Sequence, residues 1–395
     1  MSKRKNNGDG TVFECSGRWY AAIQIGKTPE GKTKLKRFSA KTEREVKKKL
    51  REFKQQQGRF TKSPNSNKTT VKDYFEHWLY DYKINQLKEQ SFDRLELTVK
   101  AHIIPELGGY QFASVRQSDI QDLITLKQKQ GLSYSSVKKI YEALKACFQF
   151  DWNKGEGNRV IEINPVYNIS IKKADYDSKK IVRVLTEEEV DKIKREIYAT
   201  YDNGKRKYLY GEVFLLILNT GLRTGEVLAL QRDIDLKTKK IYIGKNLILT
   251  KRRNADGKQI EKGVVRLSKV SNSTKYKASN RWIYLNDNAV TYIKNLMQLP
   301  SNDGALVVNK YGERVSLNAI RSTFKTILKY AGINDKEVGI HTLRHTFATN
   351  LFKNGVDVKV VSKILGHSSV KITYDTYIHV IESLEVEAME SIPNI

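Results

Sequence analysis

Three short stretches near the carboxyl end of the chain carry the pattern that decides the fold. They read HTLRHTFATNL at 341–351, ILGHSSV at 364–370 and ITYDTY at 372–377. Within the first stretch Leu343, Phe347 and Leu351 recur every four positions, which places them on one helical face. We therefore predict a helix here, with that apolar face packed in a core.

A second face of the same helix is polar. His341, Arg344 and His345 stand at i, i+3 and i+4, so their side chains are neighbours on the helix surface. Apolar residues at 358–365 predict another helix, and Gly366 is the residue type that commonly ends one. The two helices would bring a guanidinium and two imidazoles close to the glycine.

His367 and Tyr377 extend this set of side chains, which suits an anionic substrate. An arginine fork pairs with two phosphate oxygens, imidazole transfers protons near neutral pH, and a phenolate can attack phosphorus. Two histidines four residues apart also occur in zinc proteases, but there a Glu follows the first histidine, and here Thr342 does. The pattern therefore favours phosphate chemistry over a metal site.

Together these residues resemble the carboxyl-terminal signature of the tyrosine recombinases, or phage-type integrases. That family has His-x-x-Arg, then Leu-Gly-His, then a nucleophilic tyrosine. This chain has His341-Thr-Leu-Arg344, Leu-Gly-His at 365–367, and Tyr377 ten residues after the last histidine. The resemblance implies that Tyr377 is the nucleophile.

The 395-residue chain is strongly basic, which bounds its partners. It carries 71 Lys and Arg against 44 Asp and Glu, a formal net charge of +27. This excess favours nucleic acid as a partner over a merely solvated cationic surface. No apolar run approaches the roughly 18 residues of a membrane span, and the start lacks an apolar secretory stretch. Two cysteines are too few for a disulfide framework or a four-cysteine zinc site. We therefore expect a cytoplasmic, DNA-associated bacterial protein.

The first 65 residues are predicted to form a small basic domain, with 18 Lys and Arg against 6 Asp and Glu. Alternating, β-rich residues at 17–25 and 32–38 flank a Pro-Glu-Gly turn, and a further strand is expected near 11–14. Residues 42–53 suit a basic helix with an apolar stripe. We thus expect a three-stranded sheet backed by one helix.

This small domain resembles the amino-terminal arm-binding domain of many integrases, whose sheet enters the DNA major groove. Alternation along the strand would place Lys32, Lys34 and Lys36 on one face, and we assign them to DNA binding. A basic solubilising extension is the alternative.

Residues 58–70 have the composition of a linker, and a helical pattern follows them. The helices are predicted at 71–82, 91–104, 118–130 and 133–152. Pro105 and the two glycines at 108 and 109 are expected to end the second of them. Four helices in this stretch make a compact bundle, which resembles the core-binding domain of the family.

A further domain begins after a Lys-rich linker at 171–183, where Thr186 and the Glu three residues later form a capping box. The apolar residues at 213–218 predict a buried helix that Gly221 ends. In the stretch NTGLRTGEVLALQ at 219–231, Arg223 then precedes the next helix, whose N-terminus favours an anion. The stretch resembles the family motif Thr-Gly-x-Arg-x-x-Glu. This implies Arg223 as the first catalytic arginine and Glu226 as its supporting acid, with an ordinary first-turn arginine as the alternative.

Strands are predicted at 234–243, 264–267 and 281–285. Members of the family carry a catalytic lysine on a β-hairpin, commonly within Lys-Thr-Lys-Ser. The cationic loop between the last two strands contains Lys275-Tyr-Lys277, where Tyr276 replaces the usual Thr. The resemblance implies Lys275 as the catalytic lysine, with Lys277 as the alternative and otherwise a DNA contact.

The last residues, 378–395, hold four Glu and no Lys or Arg along an incomplete apolar stripe. Such a tail could dock on the basic surface of its own chain or on that of a neighbour. The family often uses its tail in trans, which we expect here.

The resemblance implies the reaction. Tyr377 attacks a backbone phosphorus, forms a 3′-phosphotyrosine and expels a 5′-hydroxyl, while Lys275 protonates the leaving oxygen and His341 helps to manage protons. Charge in the transition state is stabilised by Arg223, Arg344 and His367. The covalent link conserves the bond energy, so neither a nucleotide cofactor nor a metal is expected.

The resemblance also implies a role and partners. Four protomers would bind arm-type and core-type sites on double-stranded DNA and exchange strands through a four-way junction, integrating and excising a mobile element. An excisionase or a host DNA-bending protein is an expected accessory partner, and no membrane is. A type IB topoisomerase shares the chemistry, but the arm-type domain argues against it. A non-catalytic DNA-binding regulator would lack a catalytic residue, and none is missing.

We thus expect a multidomain, mainly α protein with small β-sheets. Its parts are an arm-type DNA-binding domain with a three-stranded sheet at 1–60, a helical-bundle core-binding domain at 68–172, and a mixed α+β catalytic domain with the tail at 184–395.

Overall fold

The structure is a computed structural model, and the chain is mainly helical with small sheets, as predicted. The residues it describes are 11–15, 17–27, 33–40, 42–47, 49, 69–156, 158–172, 182–251, 253–254, 257, 266–271 and 280–390. The chain divides into two compact units, Met1–Tyr176 and Asp177–Ile395. Within the described ranges no helix is both long and apolar enough to cross a bilayer. The three domain limits drawn from the sequence remain predictions.

The amino-terminal sheet has three antiparallel strands in the order β1-β2-β3, as predicted. They are β1 (Thr11–Cys15), β2 (Arg18–Lys27) and β3 (Thr33–Ala40). Helical residues 43–47 lie against one face, where Ala21, Ala40 and Val46 form a small core. Residues 50–53 of the predicted helix lie outside the described residues.

The register of β3 decides which of its basic residues lie on the open face of the sheet. Phe38 and Ala40 pack toward the helix, and Lys36 shares their face by alternation although its side chain is exposed. Arg37 lies on the opposite face, where its side chain is exposed. Lys32 and the side chain of Lys34 lie outside the described residues, so the predicted lysine face stays a prediction.

The remainder of the first unit is a helical bundle. Helix α1 comprises Val71–His77, a π-helical segment Trp78–Lys83 and Ile84–Gln86; α2 comprises Glu89–Thr98, a π-helical segment Val99–Ile103 and Ile104–Leu107; a 3₁₀ turn spans Phe112–Ser114; α3 is Gln117–Lys129 and α4 is Tyr134–Trp152. Its core contains the large apolar side chains at the predicted helical spacings, among them Phe75, Trp78, Phe92, Ile120, Leu144 and Phe148. The four predicted helices are therefore present.

Of the residues predicted to end α2, Pro105 is wrong, because the helix continues through it to Leu107, and Gly108 is the C-cap. A π-helical turn immediately precedes the proline, and the amide of Ile104 donates to Val99 O, five residues back. The wider turn lets the helix tolerate a residue that has no N–H and that would crowd a regular α-helical carbonyl. The glycines that follow end the helix instead.

A buried carboxylate ties the segment after α4 to the bundle. Asp151 is fully buried, and its Oδ1 accepts from the hydroxyl of Tyr74 at 2.6 Å. Its Oδ2 accepts from the amides of Val160 and Ile161 at 2.7 and 2.9 Å, and Lys154 Nζ lies 3.3 Å from Oδ1. Because both oxygens of the Asp151 carboxylate have hydrogen-bond donors, its charge can be buried without an unsatisfied lone pair.

The second unit contains eight helices among its described residues. They are α5 (Glu187–Ile197), α6 (Glu212–Thr220), α7 (Thr224–Ala229), α8 (Asp287–Met297), α9 (Leu317–Tyr330), α10 (Ile340–Lys353), α11 (Val358–Leu365) and α12 (Val370–Glu390). The predicted capping box at Thr186 is present, since its Oγ1 accepts from Glu189 N. Helix α6 is the centre of this unit and packs against α8 and α10.

The strands of the second unit differ from the prediction in number and pairing. They are β4 (Lys240–Ile243), β5 (Asn246–Lys251), β6 (Arg266–Ser271) and β7 (Arg281–Tyr284), and they pair as β4-β7 and β5-β6. The strand predicted from 234 begins later because Asp235 accepts from the amide of Lys237 and Lys239 has a positive φ, which make a turn. Strand β5 was not predicted. The strands on either side of Lys275 belong to different sheets, so they do not pair with each other as the predicted hairpin requires.

Two left-handed glycines end the helices that border the candidate site. Gly221 ends α6 with φ 62°, and a Cβ there would lie 2.4 Å from the ring of Phe347. Gly366 ends α11 with φ 66°, and a Cβ there would lie 2.8 Å from Arg281 Nη1. Both positions therefore need glycine for conformation and for space.

The first turns of the tail pack on their own chain, and docking of the tail in trans stays a prediction. Helix α12 has a non-helical residue at Tyr377, and beyond it Val380, Ile381 and Leu384 pack against the cluster formed by α10 and α11. Val386 and Met389, further along, are exposed. Since the first turns beyond Tyr377 bury their apolar face in cis, only the later turns present apolar side chains to solvent.

Candidate active site

Five predicted side chains of the second unit lie around the ends of α6 and α11. They are Arg223 at the start of α7, Glu226 one turn later, His341 and Arg344 on α10, and His367 just after α11. Helix α10 crosses α6 and also contacts α11 and α12. This packing brings together residues that are more than 140 positions apart in the sequence.

Arg344 is the buried centre of the cluster, with 4% of its surface exposed. Its Nη1 donates to Gly221 O at 2.6 Å and its Nη2 donates to Leu365 O at 2.8 Å. These carbonyls end α6 and α11, where the helix dipoles favour a cation. Burial and the nearby charge of Arg223 lower the pKa of Arg344 to about 9, so the guanidinium remains charged at neutral pH.

His367 is held in one tautomer by its two neighbours. Its Nε2 lies 3.1 Å from Arg344 Nη2, which can only donate, and its Nδ1 lies 2.8 Å from Thr373 Oγ1. We therefore assign the ring proton to Nδ1. Burial and the charges of Arg344 and Arg223 lower the pKa of His367 to about 4, which leaves the imidazole neutral at pH 7.

Glu226 orients Arg223 and is itself nearly buried. Its Oε1 accepts from Arg223 Nη1 at 2.8 Å, and its Oε2 accepts from the backbone amide of Arg223 at 2.9 Å. Arg223 Nη2 also donates to Gly366 O at 3.1 Å. The first arginine is thus fixed to the same glycine that precedes His367.

Arg281 is a member of the cluster that the sequence did not identify. It donates through Nη1 and Nη2 to the two oxygens of Glu226 at 3.1 and 3.0 Å, and through Nε to Ile364 O at 2.6 Å. Burial raises the pKa of Glu226, but the hydrogen bonds and charges of Arg281 and Arg223 outweigh it and hold that pKa below its usual range. Its position at the start of a predicted strand gave no signal, because its partners lie 55 and 83 residues away.

His341 lies at the exposed first turn of α10. The surrounding protein atoms and the charges of Arg344, Arg223 and Arg321 lower its pKa. The imidazole of His341 therefore lies near the arginines of the cluster, where it can exchange protons with solvent or a ligand.

Tyr377 is buried, with 2% of its surface exposed. Its ring centroid lies 5.5 Å from that of Phe352, and its hydroxyl lies 2.9 Å from His345 Nδ1. Burial raises the pKa of Tyr377 to about 12. Tyr374, three residues earlier, is 43% exposed. The structure therefore separates the two tyrosines by environment, and it brings His345 to the phenol.

Lys275 and Lys277 lie outside the described residues, between Ser271 of β6 and Arg281 of β7. Their assignments stay predictions. In the part of the chain that the structure describes, no three His, Cys, Asp or Glu side chains are grouped so that they could hold a metal ion.

Two family models match the chain. The model described as the phage integrase family matches residues 183–383, more than half of the chain, and the phage integrase N-terminal SAM-like domain matches residues 70–127. The helical bundle and the unit that carries the arginine cluster thus each correspond to a part of one family.

Individual proteins agree with these matches. A tyrosine recombinase XerC-like protein of Caldanaerobacter subterraneus subsp. tengcongensis is 27% identical over 413 residues, covering 97% of this chain and 98% of the relative. An integrase of Streptomyces ambofaciens is 25% identical over 393 residues, covering 95% of this chain and 94% of the relative. The solved structure of the Tn1549 transposon integrase in complex with transposon right end DNA has a TM-score of 0.59 and 21% identity, and the match covers 80% of this chain and 99% of that one. The last comparison shows a shared fold.

Proposed function

The chain belongs to the phage integrase family, and we propose that it is a site-specific recombinase that integrates and excises a mobile element. It is an enzyme that breaks and rejoins DNA strands. The finer proposal is supported by relatives named integrase and transposase from transposon Tn916, and by the basic amino-terminal domain, which a simple strand-relaxing enzyme would not need.

The proposal rests on two arginines and a histidine, Arg344, Arg223 and His367, that lie side by side in the structure. Arg344 contacts His367 at 3.1 Å, and Arg223 reaches the carbonyl of the preceding glycine at 3.1 Å. Two fixed guanidinium groups beside an imidazole suit the non-bridging oxygens of one phosphodiester. Because their partners are protein atoms, these cations need little reorganisation when charge develops on phosphorus.

The proposed reaction adds Tyr377 and Lys275 to these three residues. Tyr377 Oη attacks a backbone phosphorus, the bond to O5′ breaks, and the leaving oxygen takes a proton from Lys275. The product is a 3′-phosphotyrosine and a free 5′-hydroxyl. A 5′-hydroxyl of a second strand then reverses the steps and reseals the DNA. We propose His341 as an aid to proton exchange, and we assign no step to a metal or a nucleotide.

Double-stranded DNA is the proposed partner, with four protomers on two core-type sites and the strands exchanged through a four-way junction. The amino-terminal sheet would bind a separate arm-type site. An excisionase or a host DNA-bending protein would determine whether the enzyme integrates or excises the element. We propose that the enzyme works in the bacterial cytoplasm, on DNA.

The experiment that tests this function uses two duplexes that carry the junction sequences of an integrated copy. We expect the purified protein to exchange strands between them and to give recombinant products through a four-way intermediate. Relaxation of supercoiled DNA without any exchange would favour the topoisomerase alternative instead.

Removal of residues 1–65 is expected to abolish binding to one class of DNA site and to leave core-site cleavage intact. The deleted segment has an excess of 12 positive charges, from 18 Lys and Arg against 6 Asp and Glu. Counterion release predicts a shallower dependence of the remaining affinity on salt. Cleavage should persist because every proposed catalytic residue lies beyond residue 183. Filter binding at several salt concentrations and a cleavage assay measure both effects.

A matched pair of variants tells which face of the sheet contacts DNA. Lys36→Gln and Arg37→Gln remove the same charge from neighbouring positions on opposite faces of β3. We expect Arg37→Gln to weaken arm-site binding more, because its face is not covered by the helix.

For the deletion of residues 1–65, a folded truncated protein that no longer cleaves core-site DNA would contradict the modular organisation.

The catalytic lysine can be identified by a leaving group that needs no proton. Lys275→Ala is expected to slow cleavage by roughly 10²–10⁴-fold, the usual range for loss of a general acid. A substrate with a 5′-thiol leaving group should restore the rate of that variant. Lys277→Ala is the matched control and should mainly weaken affinity. Rescue of Lys277→Ala instead would move the assignment by two residues, and rescue of neither would remove lysine from the acid role.

A further inference from the structure

The hydroxyl of Tyr377 is hydrogen-bonded to His345, a residue outside the predicted catalytic set. His345 Nδ1 lies 2.9 Å from the phenol oxygen, and the two rings meet edge to face with centroids 5.7 Å apart. Tyr377 also belongs to an apolar cluster with Ala348, Phe352, Val361 and Leu365, and the charge of Arg344 acts on it. Within the ranges that the structure describes, this bond is the polar contact of the hydroxyl.

We propose that His345 is the general base for the nucleophile. As Tyr377 Oη forms its bond to phosphorus, the hydroxyl proton passes to Nδ1 of His345, and the electron pair of the breaking P–O5′ bond goes to the leaving oxygen. On religation the imidazolium returns the proton to the departing phenolate oxygen. This inference rests on the proposed function, because it takes Tyr377 as the attacking residue.

The two histidines of α10 then have different roles, because they have different neighbours. The charges of Arg344, Arg223 and Arg321 act on His341. His345, one turn later, is hydrogen-bonded to the phenol of Tyr377. A base must reach the proton that it removes, within hydrogen-bond distance. Geometry therefore favours His345 over His341 for this step.

The charges around His345 keep it able to accept a proton. Burial, followed by the neighbouring His341 and Arg344 on its own helix, lowers the pKa of His345 to about 4. Tyr377 on α12 and His367 after α11 face it from the other elements. At pH 7 the imidazole is unprotonated. The same charges make it a weak base in the free protein, but an anionic phosphodiester beside Arg344 would offset them and raise its basicity.

The test replaces His345 by Asn and by Ala and follows single-turnover cleavage of a nicked duplex between pH 6 and pH 9. Asn keeps a polar atom near the position of Nδ1 but cannot take the proton. We expect both variants to be slower at pH 7 by roughly 10²–10⁴-fold, and their rates to rise steeply with pH, because attack would then need a phenolate whose pKa is about 12. The wild-type rate should be nearly flat.

The controls separate this inference from the proposed function. His379→Asn changes a partly exposed histidine that lies 3.8 Å from Glu382 on the same tail helix as the nucleophile, and it should cleave at the wild-type rate. If His345→Asn matches the wild-type rate and pH profile while Tyr377→Phe forms no adduct, His345 only positions the phenol and the inference is wrong. If Tyr377→Phe still cleaves, the proposed function fails first.

A measurement that keeps His345 covers the case in which its variants do not fold. Tyrosine at position 377 is replaced by difluorotyrosine, which lowers the phenol pKa. With a working base, the pH profile stays flat in both proteins. A wild-type rate that rises about tenfold per pH unit, and that shifts to lower pH on fluorination, would show attack by free phenolate and would overturn the inference.

Discussion

Tyr377→Phe is expected to abolish the covalent protein–DNA adduct on a nicked suicide substrate while DNA binding persists. The phenylalanine ring keeps the packing against Phe352 and Val361, so the loss of the hydroxyl and of its bond to His345 should cost only about 1–2 kcal/mol of stability. The reaction loses its attacking atom altogether. A denaturing gel measures the adduct, and a mobility shift measures the binding.

The matched control is Tyr374→Phe on the same helix. Its side chain is 43% exposed and lies outside the buried cluster, so we expect the adduct to form as in the wild type. The reverse pattern, with the adduct lost in Tyr374→Phe and kept in Tyr377→Phe, would show that the nucleophile is misassigned.

Arg344→Lys is expected to slow cleavage by roughly 10²–10³-fold, the loss usual for one transition-state donor. The guanidinium bridges Gly221 O and Leu365 O through two separate nitrogens and also contacts His367. One ammonium group cannot occupy both positions, so a buried carbonyl is left without its donor at a cost of about 1–3 kcal/mol. Single-turnover cleavage and urea denaturation measure the two effects.

The control for this substitution is Arg195→Lys, which makes the same change at an exposed position in the last turn of α5. It should alter neither the rate nor the stability measurably. Cleavage by Arg344→Lys at the wild-type rate would mean that the fork geometry at this position does not contribute to catalysis.

Local patterns in the sequence were sufficient to predict most helices. The apolar stripe starting at Val71 and the capping box at Thr186 both lie where predicted. The glycines at 221 and 366 end helices as expected, because a left-handed residue with no room for a Cβ leaves glycine as the fitting choice. These signals act over a few residues, so they can be read from the chain alone.

Features that depend on distant partners could not be predicted in the same way. Strand β5 pairs with β6, and β4 pairs with β7, although the resemblance implied a hairpin before Arg281. The bonds from Arg281 to Glu226 and from His345 to Tyr377 span 55 and 32 residues. The sequence identified the arginines and histidines by residue type and order, but it did not show which residues are their hydrogen-bond partners.

The helix through Pro105 and the tail show the same limit. A proline normally ends a helix, and here a preceding π-helical turn allows it to continue. The charge of the acidic tail left docking on its own chain or on a neighbour open, and in the structure Ile381 and Leu384 pack on α10 and α11 of the same chain.

The most direct measurement is to locate the DNA on the trapped protein. Cleavage before aspartates gives residues 357–374, which contain Tyr374, and residues 375–395, which contain Tyr377. We expect mass spectrometry to find the nucleotide remnant on 375–395, joined to Tyr377 through a 3′-phosphate, with a free 5′-hydroxyl on the other product. A remnant on 357–374, a 5′-phosphate linkage or cleaved DNA without any covalent peptide would contradict the proposed chemistry.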